Sequence, residues 1–129
     1  MEDKTVKPKL LCIEDEHFIS DLYTRALTKA GYEVLVVADG EEALAEAEKD
    51  TYDVILLDIM LPSMSGVEIL RRLRDPKRSS ELKAKIIITT NLDQTEDNRE
   101  KIERMADGYI IKAEITPREL VTYLSQIEL

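Results

Sequence analysis

Four apolar runs in this 129-residue chain each stop at a residue that can do chemistry. Leu10–Ile13 is followed by Glu14 and Asp15, and Val54–Leu57 by Asp58. Ile86–Ile88 leads into Thr89 and Thr90, and Tyr109–Ile111 into Lys112. Three carboxylates held close together repel one another, and burial makes this worse. A hard divalent cation relieves the repulsion. Mg2+ suits such a site, because it takes oxygens from a few carboxylates and keeps water or phosphate oxygens in its other positions. A hydroxyl and an ammonium complement the oxygens of a phosphoryl group. The set therefore points to Mg2+-assisted phosphoryl transfer, where positioning and charge neutralisation do most of the work. Asp58 is the candidate nucleophile, since carboxylates form acyl phosphates. Thr90, one step further out, is the better phosphate contact, and Thr89 reads as a packed strand residue. One carboxylate after a strand is commonly a turn or cap residue. Its recurrence at several strand ends, with a hydroxyl and a lysine at the others, is what argues for a site.

Something must bring these groups together. With Val34–Val37 the apolar runs number five, and the continuous Ile/Leu/Val stretches suit strands buried on both faces of a parallel sheet. Helical patterns lie between and after them. Ile19, Leu22, Tyr23, Ala26 and Ala30 follow helical spacing, with Gly31 placed to end that helix. Asp39 with Glu42, and Ser65 with Glu68, are capping pairs. Thr116-Pro117-Arg118-Glu119 is the clearest helix start, and Leu120, Leu124 and Ile127 form the buried stripe behind it. Asp93–Met105 predicts a weakly held polar helix anchored by Ile102 and Met105. Asp75–Ala84 is the longest loop, with Lys77 and Arg78 as solvated surface. Five strand–helix units imply a parallel sheet with helices on both faces and right-handed crossovers. In such sheets ligands bind beyond the carboxyl ends of the strands, where all four polar clusters fall.

Composition narrows the function. The length suits one domain. With 43% hydrophobic and 35% charged residues, the chain reads as globular. No apolar run approaches a membrane span, and MEDKTVKPK lacks the apolar core of a signal peptide. Cys12 is the single cysteine, so no internal disulfide can form, and the expected location is the cytoplasm. A net charge of −9 without a long basic cluster argues against direct binding of nucleic acid. Cys12 reads as a core residue and His17, opening the first helix, as a solvated one.

The pieces LCIEDE, DVILLDIMLPSMSG, IIITTN and GYIIKAEITPREL occur in order at the right strand ends. From about Lys9 to Ile127 the chain resembles the receiver domain of two-component response regulators. The resemblance implies a flavodoxin-like α/β fold, (βα)5, with a five-stranded parallel sheet of order 2-1-3-4-5 and helices on both faces. Residues 1–8 would be a tail and 9–129 the receiver domain. Asp58 would be the phospho-acceptor, with Thr90 and Lys112 contacting the phosphoryl oxygens. Asp15 and Asp58 would ligate Mg2+ (Mn2+ being the alternative ion), Glu14 acting through water and Met60 through its backbone carbonyl. Thr90 and Tyr109 would form the switch, and Met60 and Leu92 would tune attack of water on the acyl phosphate. Neither apolar side chain orients water, so slow self-dephosphorylation is expected. The donor would be a phosphohistidine on a sensor histidine kinase or phosphotransfer protein. The last two helices and last strand would meet an output protein or domain, or a second copy in a homodimer. Such a domain is a signalling module rather than an enzyme. It would act alone or as the receiver of a longer regulator.

The chain departs from the family pattern in three places. Glu14 stands where an aspartate is common, Asn91 where a small residue follows the threonine, and Ala113 where a proline follows the lysine. The Lys–Pro bond of the family is often cis, so a cis Lys112–Ala113 bond is an expectation, at a cost of about 3–4 kcal/mol without proline. A Mg2+-dependent phosphatase of haloacid dehalogenase type also uses a strand-end aspartate, but it needs a second aspartate where Met60 stands. A flavin phosphate would be repelled by the acidic end of the first strand. A degenerate receiver serving only as a binding module is opposed by the presence of Asp58, Thr90 and Lys112 together.

Overall fold

A computed structural model describes residues 7–78, 80–91 and 96–127, and for residues 96 and 97 the backbone only. The elements are β1 (Lys9–Ile13), α1 (His17–Lys29), β2 (Glu33–Val37), α2 (Gly40–Ala47), β3 (Val54–Asp58) and α3 (Gly66–Leu73). They continue with β4 (Lys85–Thr90), α4 (Glu96–Met105), β5 (Gly108–Ile111), a 3-10 turn (Lys112–Glu114) and α5 (Pro117–Ser125). All strand pairs are parallel, in the order β2-β1-β3-β4-β5. This is the doubly wound arrangement expected from the strand–helix alternation.

Each central strand feeds two cores. In β1, β3 and β4, Leu10, Cys12, Val54, Leu56 and Ile87 face α1 and α5, where Tyr23, Leu27, Leu120 and Leu124 cover them. Their alternates, Leu11, Ile13, Ile55, Leu57, Ile86 and Ile88, face α2, α3 and α4. Period-two alternation with apolar residues at every position is the reason these strands read as continuous runs. Val34–Val37 is continuous too, yet β2 is an edge strand, and Leu35 and Val36 are 43% and 37% exposed.

The caps follow side-chain chemistry. Asp39 accepts from Glu42 N at 3.0 Å and Thr116 from Glu119 N at 3.1 Å, while the Glu119 carboxylate accepts from Thr116 N at 3.0 Å. Ser65 accepts from Glu68 N at 3.3 Å, but the Glu68 carboxylate turns to Arg71 and Arg72, so that box is only half formed. Gly31 ends the first helix at φ +104°, a left-handed position that favours glycine. The buried face of α1 is Ser20, Tyr23 and Leu27, while Leu22 is 38% exposed. The stripe is thus rotated from the one the spacing predicts, because Leu27 and Ser20 also lie on it.

No peptide bond among the described residues is cis, so the expected cis Lys112–Ala113 bond is corrected to trans. Alanine offers none of the tertiary-amide relief that proline gives. The 3-10 turn over Lys112–Glu114 redirects the chain instead, and Lys112 still reaches Asp58 at the carboxyl end of β3. Among the described residues no helix is long and apolar enough to cross a membrane.

Candidate functional site

The carboxyl ends of β1, β3 and β5 bring Glu14, Asp58 and Lys112 into one buried cluster. Lys112 Nζ donates to Glu14 Oε1 at 2.7 Å and to Asp58 Oδ2 at 3.0 Å. Glu14 and Asp58 are each 2% exposed. Their remaining oxygens are also engaged: Glu16 N donates to Glu14 Oε2 at 3.1 Å, and Met60 N to Asp58 Oδ1 at 3.0 Å. Asp15 lies beside them but is exposed, at the solvent side. Carboxylate oxygens of Glu14, Asp15 and Asp58 lie within 4.8 Å of one another.

The electrostatics follow from burial. Loss of water pushes the Glu14 carboxyl above its usual range; the Lys112 ammonium and the Glu16 N–H oppose the shift, and the neighbouring Asp58 charge adds to it. Burial works against the Lys112 ammonium, but the hydrogen bonds to Glu14 and Asp58 more than offset it, so its pKa is raised and it stays charged. Burial, with the Glu14 charge next, pushes the Cys12 thiol up to about 12, so it remains a neutral core residue.

A lysine with three donors cannot neutralise three carboxylates. Asp15 is left facing solvent with Asp58 and Glu14 behind it, and this oxygen set matches the donor chemistry of a small divalent cation. Asp15 and Asp58 could hold such an ion, while both Glu14 oxygens are already committed to Lys112 and Glu16.

Thr90 closes β4 and is fully buried, and Thr89 beside it is 2% exposed. Strand alternation places Thr89 on the α1/α5 side and Thr90 on the side of α2, α3 and α4. Tyr109 is half-buried and packs against the same side. Met60 is 57% exposed, with its backbone N–H turned to Asp58. Leu92 lies outside the described residues. His17 is exposed at the start of α1.

Two site-shaping residues escaped sequence reasoning. A Cβ on Gly66 would run into the Asp58 carbonyl, so only glycine lets the start of α3 pack under the end of β3. Gly66 N also donates to Ile59 O at 2.9 Å, tying the loop shut. Ser63, at φ +66°, donates to Asp39 Oδ1 at 2.7 Å and links this loop to the cap of α2. The signal for Gly66 was its place just after a helix-capping serine, where glycine is otherwise unhelpful.

The sequence pattern of the response regulator receiver domain matches residues 10–125, and the chain belongs to that family. It is 38% identical to the alkaline phosphatase synthesis transcriptional regulatory protein PhoP of Bacillus subtilis, over 87% of this chain and 45% of that protein. The chain thus spans under half the length of that relative. Among solved structures, it resembles a CheY-like receiver domain protein from Methanospirillum hungatei at 29% identity and TM-score 0.79, covering 94% of this chain and 93% of that one. The BeF3-activated N-terminal receiver domain of Klebsiella pneumoniae RstA aligns at 30% identity and TM-score 0.75, covering 91% and 95%. The chain is accordingly a receiver domain of two-component response regulators, a signalling domain on the fold its neighbours share.

Proposed function

We propose that Asp58 accepts a phosphoryl group from a phosphohistidine on a sensor histidine kinase or phosphotransfer protein. The observation that carries this is the Lys112 ammonium, buried and bonded at once to Asp58 and Glu14, with Asp15 open to solvent at their edge. An Asp58 oxygen forms the new bond to phosphorus as the phosphorus–nitrogen bond of the donor breaks and the imidazole leaves. The Met60 N–H orients the Asp58 carboxylate, and Lys112 balances charge on the transferred group. Asp15, Asp58 and the Met60 carbonyl would hold Mg2+, or Mn2+, with Glu14 acting through water. The ion would neutralise charge developing on the phosphoryl oxygens. Residues 9–129 constitute the receiver and 1–8 a tail, acting in the cytoplasm.

Phosphorylation would draw Thr90 and Tyr109 into a new arrangement and alter the face made by α4, β5 and α5. That face would meet an output protein, an attached output domain or a second copy. The domain promotes its own phosphorylation and slow dephosphorylation, and turns over no other substrate. The phosphatase reading has Met60 where a second catalytic aspartate is needed, with its side chain turned to solvent.

The test is incubation with Mg2+ and a small acyl-phosphate donor. One phosphoryl group per wild-type molecule and none on Asp58→Asn is expected; equal labelling of the two overturns the assignment. Because Met60 and Leu92 cannot orient water, the phosphorylated protein should persist for minutes or longer. Decay within seconds in purified protein with Mg2+ contradicts that role.

A further inference from the structure

Strand alternation puts Thr90 and Tyr109 on one face of the sheet. Ile86 and Ile88 of β4 belong to the core under α2, α3 and α4, so Thr90 points the same way. Tyr109 packs against that core and pairs in register with Ile88. On this side α4 carries Arg99, whose guanidinium carbon lies 4.6 Å from the centroid of the Tyr109 ring. Arg99 Nε also donates to Glu103, one turn further along α4, at 2.7 Å. The guanidinium is therefore held by a carboxylate on its own helix while it lies over a ring on the neighbouring strand. Arginine suits this double use, because its planar fork can stack and donate together.

We infer that Arg99 is a positioning residue for the switch: its cation–π contact holds the Tyr109 ring in place and ties that ring to α4. The inference rests on the phospho-acceptor reading of Asp58. Asp58 pairs in register with Thr89, so Thr90 lies one residue beyond the acceptor on the adjacent strand. When a phosphoryl group draws the Thr90 hydroxyl towards it, space opens on the face that Thr90 shares with Tyr109. A ring that moves into that space leaves the guanidinium, which Glu103 holds in place. The stack thus opposes activation, and losing it favours the activated state. Contacts of this kind at part-exposed sites bias a two-state equilibrium about 2- to 5-fold. The coupling reaches α4 because, among the described residues, the helix has few other ties to the body, chiefly Ile102, Met105 and the Arg74 Nε bond to the Met105 carbonyl at 2.8 Å. Among the described residues, Ile102 is its one fully buried side chain.

Arg99→Gln removes the cation and Arg99→Lys keeps it. The Arg99 side chain is 42% exposed, so both variants should fold. Beryllium trifluoride with Mg2+ serves as the phosphoryl mimic, and NMR of 13C-labelled tyrosine rings reports Tyr109, assigned with Tyr109→Phe. Arg99→Gln should bind the mimic about 2- to 5-fold more tightly, and its Tyr109 signals should sit part-way towards their mimic-bound positions beforehand. Arg99→Lys keeps the charge but not the planar stack, so it should fall between wild type and Arg99→Gln. In a Tyr109→Leu background, Arg99→Gln should have no further effect. Unchanged or weaker binding by Arg99→Gln, or an effect that survives Tyr109→Leu, overturns the inference while leaving Asp58 as acceptor. A wild type that ignores the mimic, or an Asp58→Asn protein that still responds, overturns the acceptor reading and this inference with it.

Discussion

Lys112 is the residue on which the buried carboxylate pair depends. Its ammonium is the group that bonds both buried carboxylates, Glu14 and Asp58. Replacing it with methionine leaves two facing carboxylates without a cation in a dry site. Breaking a buried pair from one side commonly costs about 3–5 kcal/mol. Urea unfolding of Lys112→Met in a chelator should show a loss of that order, and Mg2+ should restore more stability to the variant than it adds to wild type. The pH dependence has a definite sign. Burial already raises the Glu14 carboxyl pKa in the folded protein, and removing Lys112 takes away the main opposing influence. A carboxyl with a raised folded pKa favours the fold when protonated, so stability falls as pH rises through the ordinary carboxylate range and beyond. The Lys112→Met defect should therefore shrink as pH is lowered from about 8 to about 5. A defect that deepens on acidification would show that Glu14 is not the group left uncompensated.

At the scale of the element, the last helix shows how local chemistry sets a boundary. Thr116, Pro117 and Glu119 form a complete capping box with proline in the first turn, which places Leu120 and Leu124 on the core. Thr116→Ala should lower stability by about 1 kcal/mol in thermal or urea unfolding without altering phosphorylation of Asp58. Boundaries like this one were legible because the capping side chains act within three residues. The half-formed box at Ser65 was less so, since Arg71 and Arg72 compete for Glu68 and the competition depends on rotamers. The rotated stripe of α1 was missed for a related reason. A helix with apolar residues on several faces does not reveal which face meets the sheet until β1 and α5 are in place.

Across the whole molecule, stability is unevenly distributed. The three central strands are buried on both faces, whereas among the described residues α4 is held mainly by Ile102, half-buried Met105, the Arg74 bond to the Met105 carbonyl and the Arg99–Tyr109 contact. Native-state hydrogen exchange should be slowest in β1, β3 and β4 and markedly faster in α4. Phosphorylation should change α4 and β5 more than α1. Equal protection of α4 and the central strands would remove the physical basis for treating that helix as the movable part.

Strand number, parallel pairing and the rim on which the polar clusters lie were determined by the sequence alone. Apolar continuity and strand–helix alternation are local patterns, and chirality permits few ways to wind them. Asp58, Glu14, Asp15, Thr90 and Lys112 could be named as a group for the same reason. Tertiary structure decided how they meet. It committed both oxygens of Glu14, left Asp15 open to solvent, turned the chain after Lys112 with a trans bond, and required glycine at position 66 beneath Asp58. It also put Arg99 on Tyr109. Some are short-range in the chain, such as Glu14 with Glu16, and others distant, such as Glu14 with Lys112, but all are set by packing distances of a few ångströms that residue types and spacing do not encode.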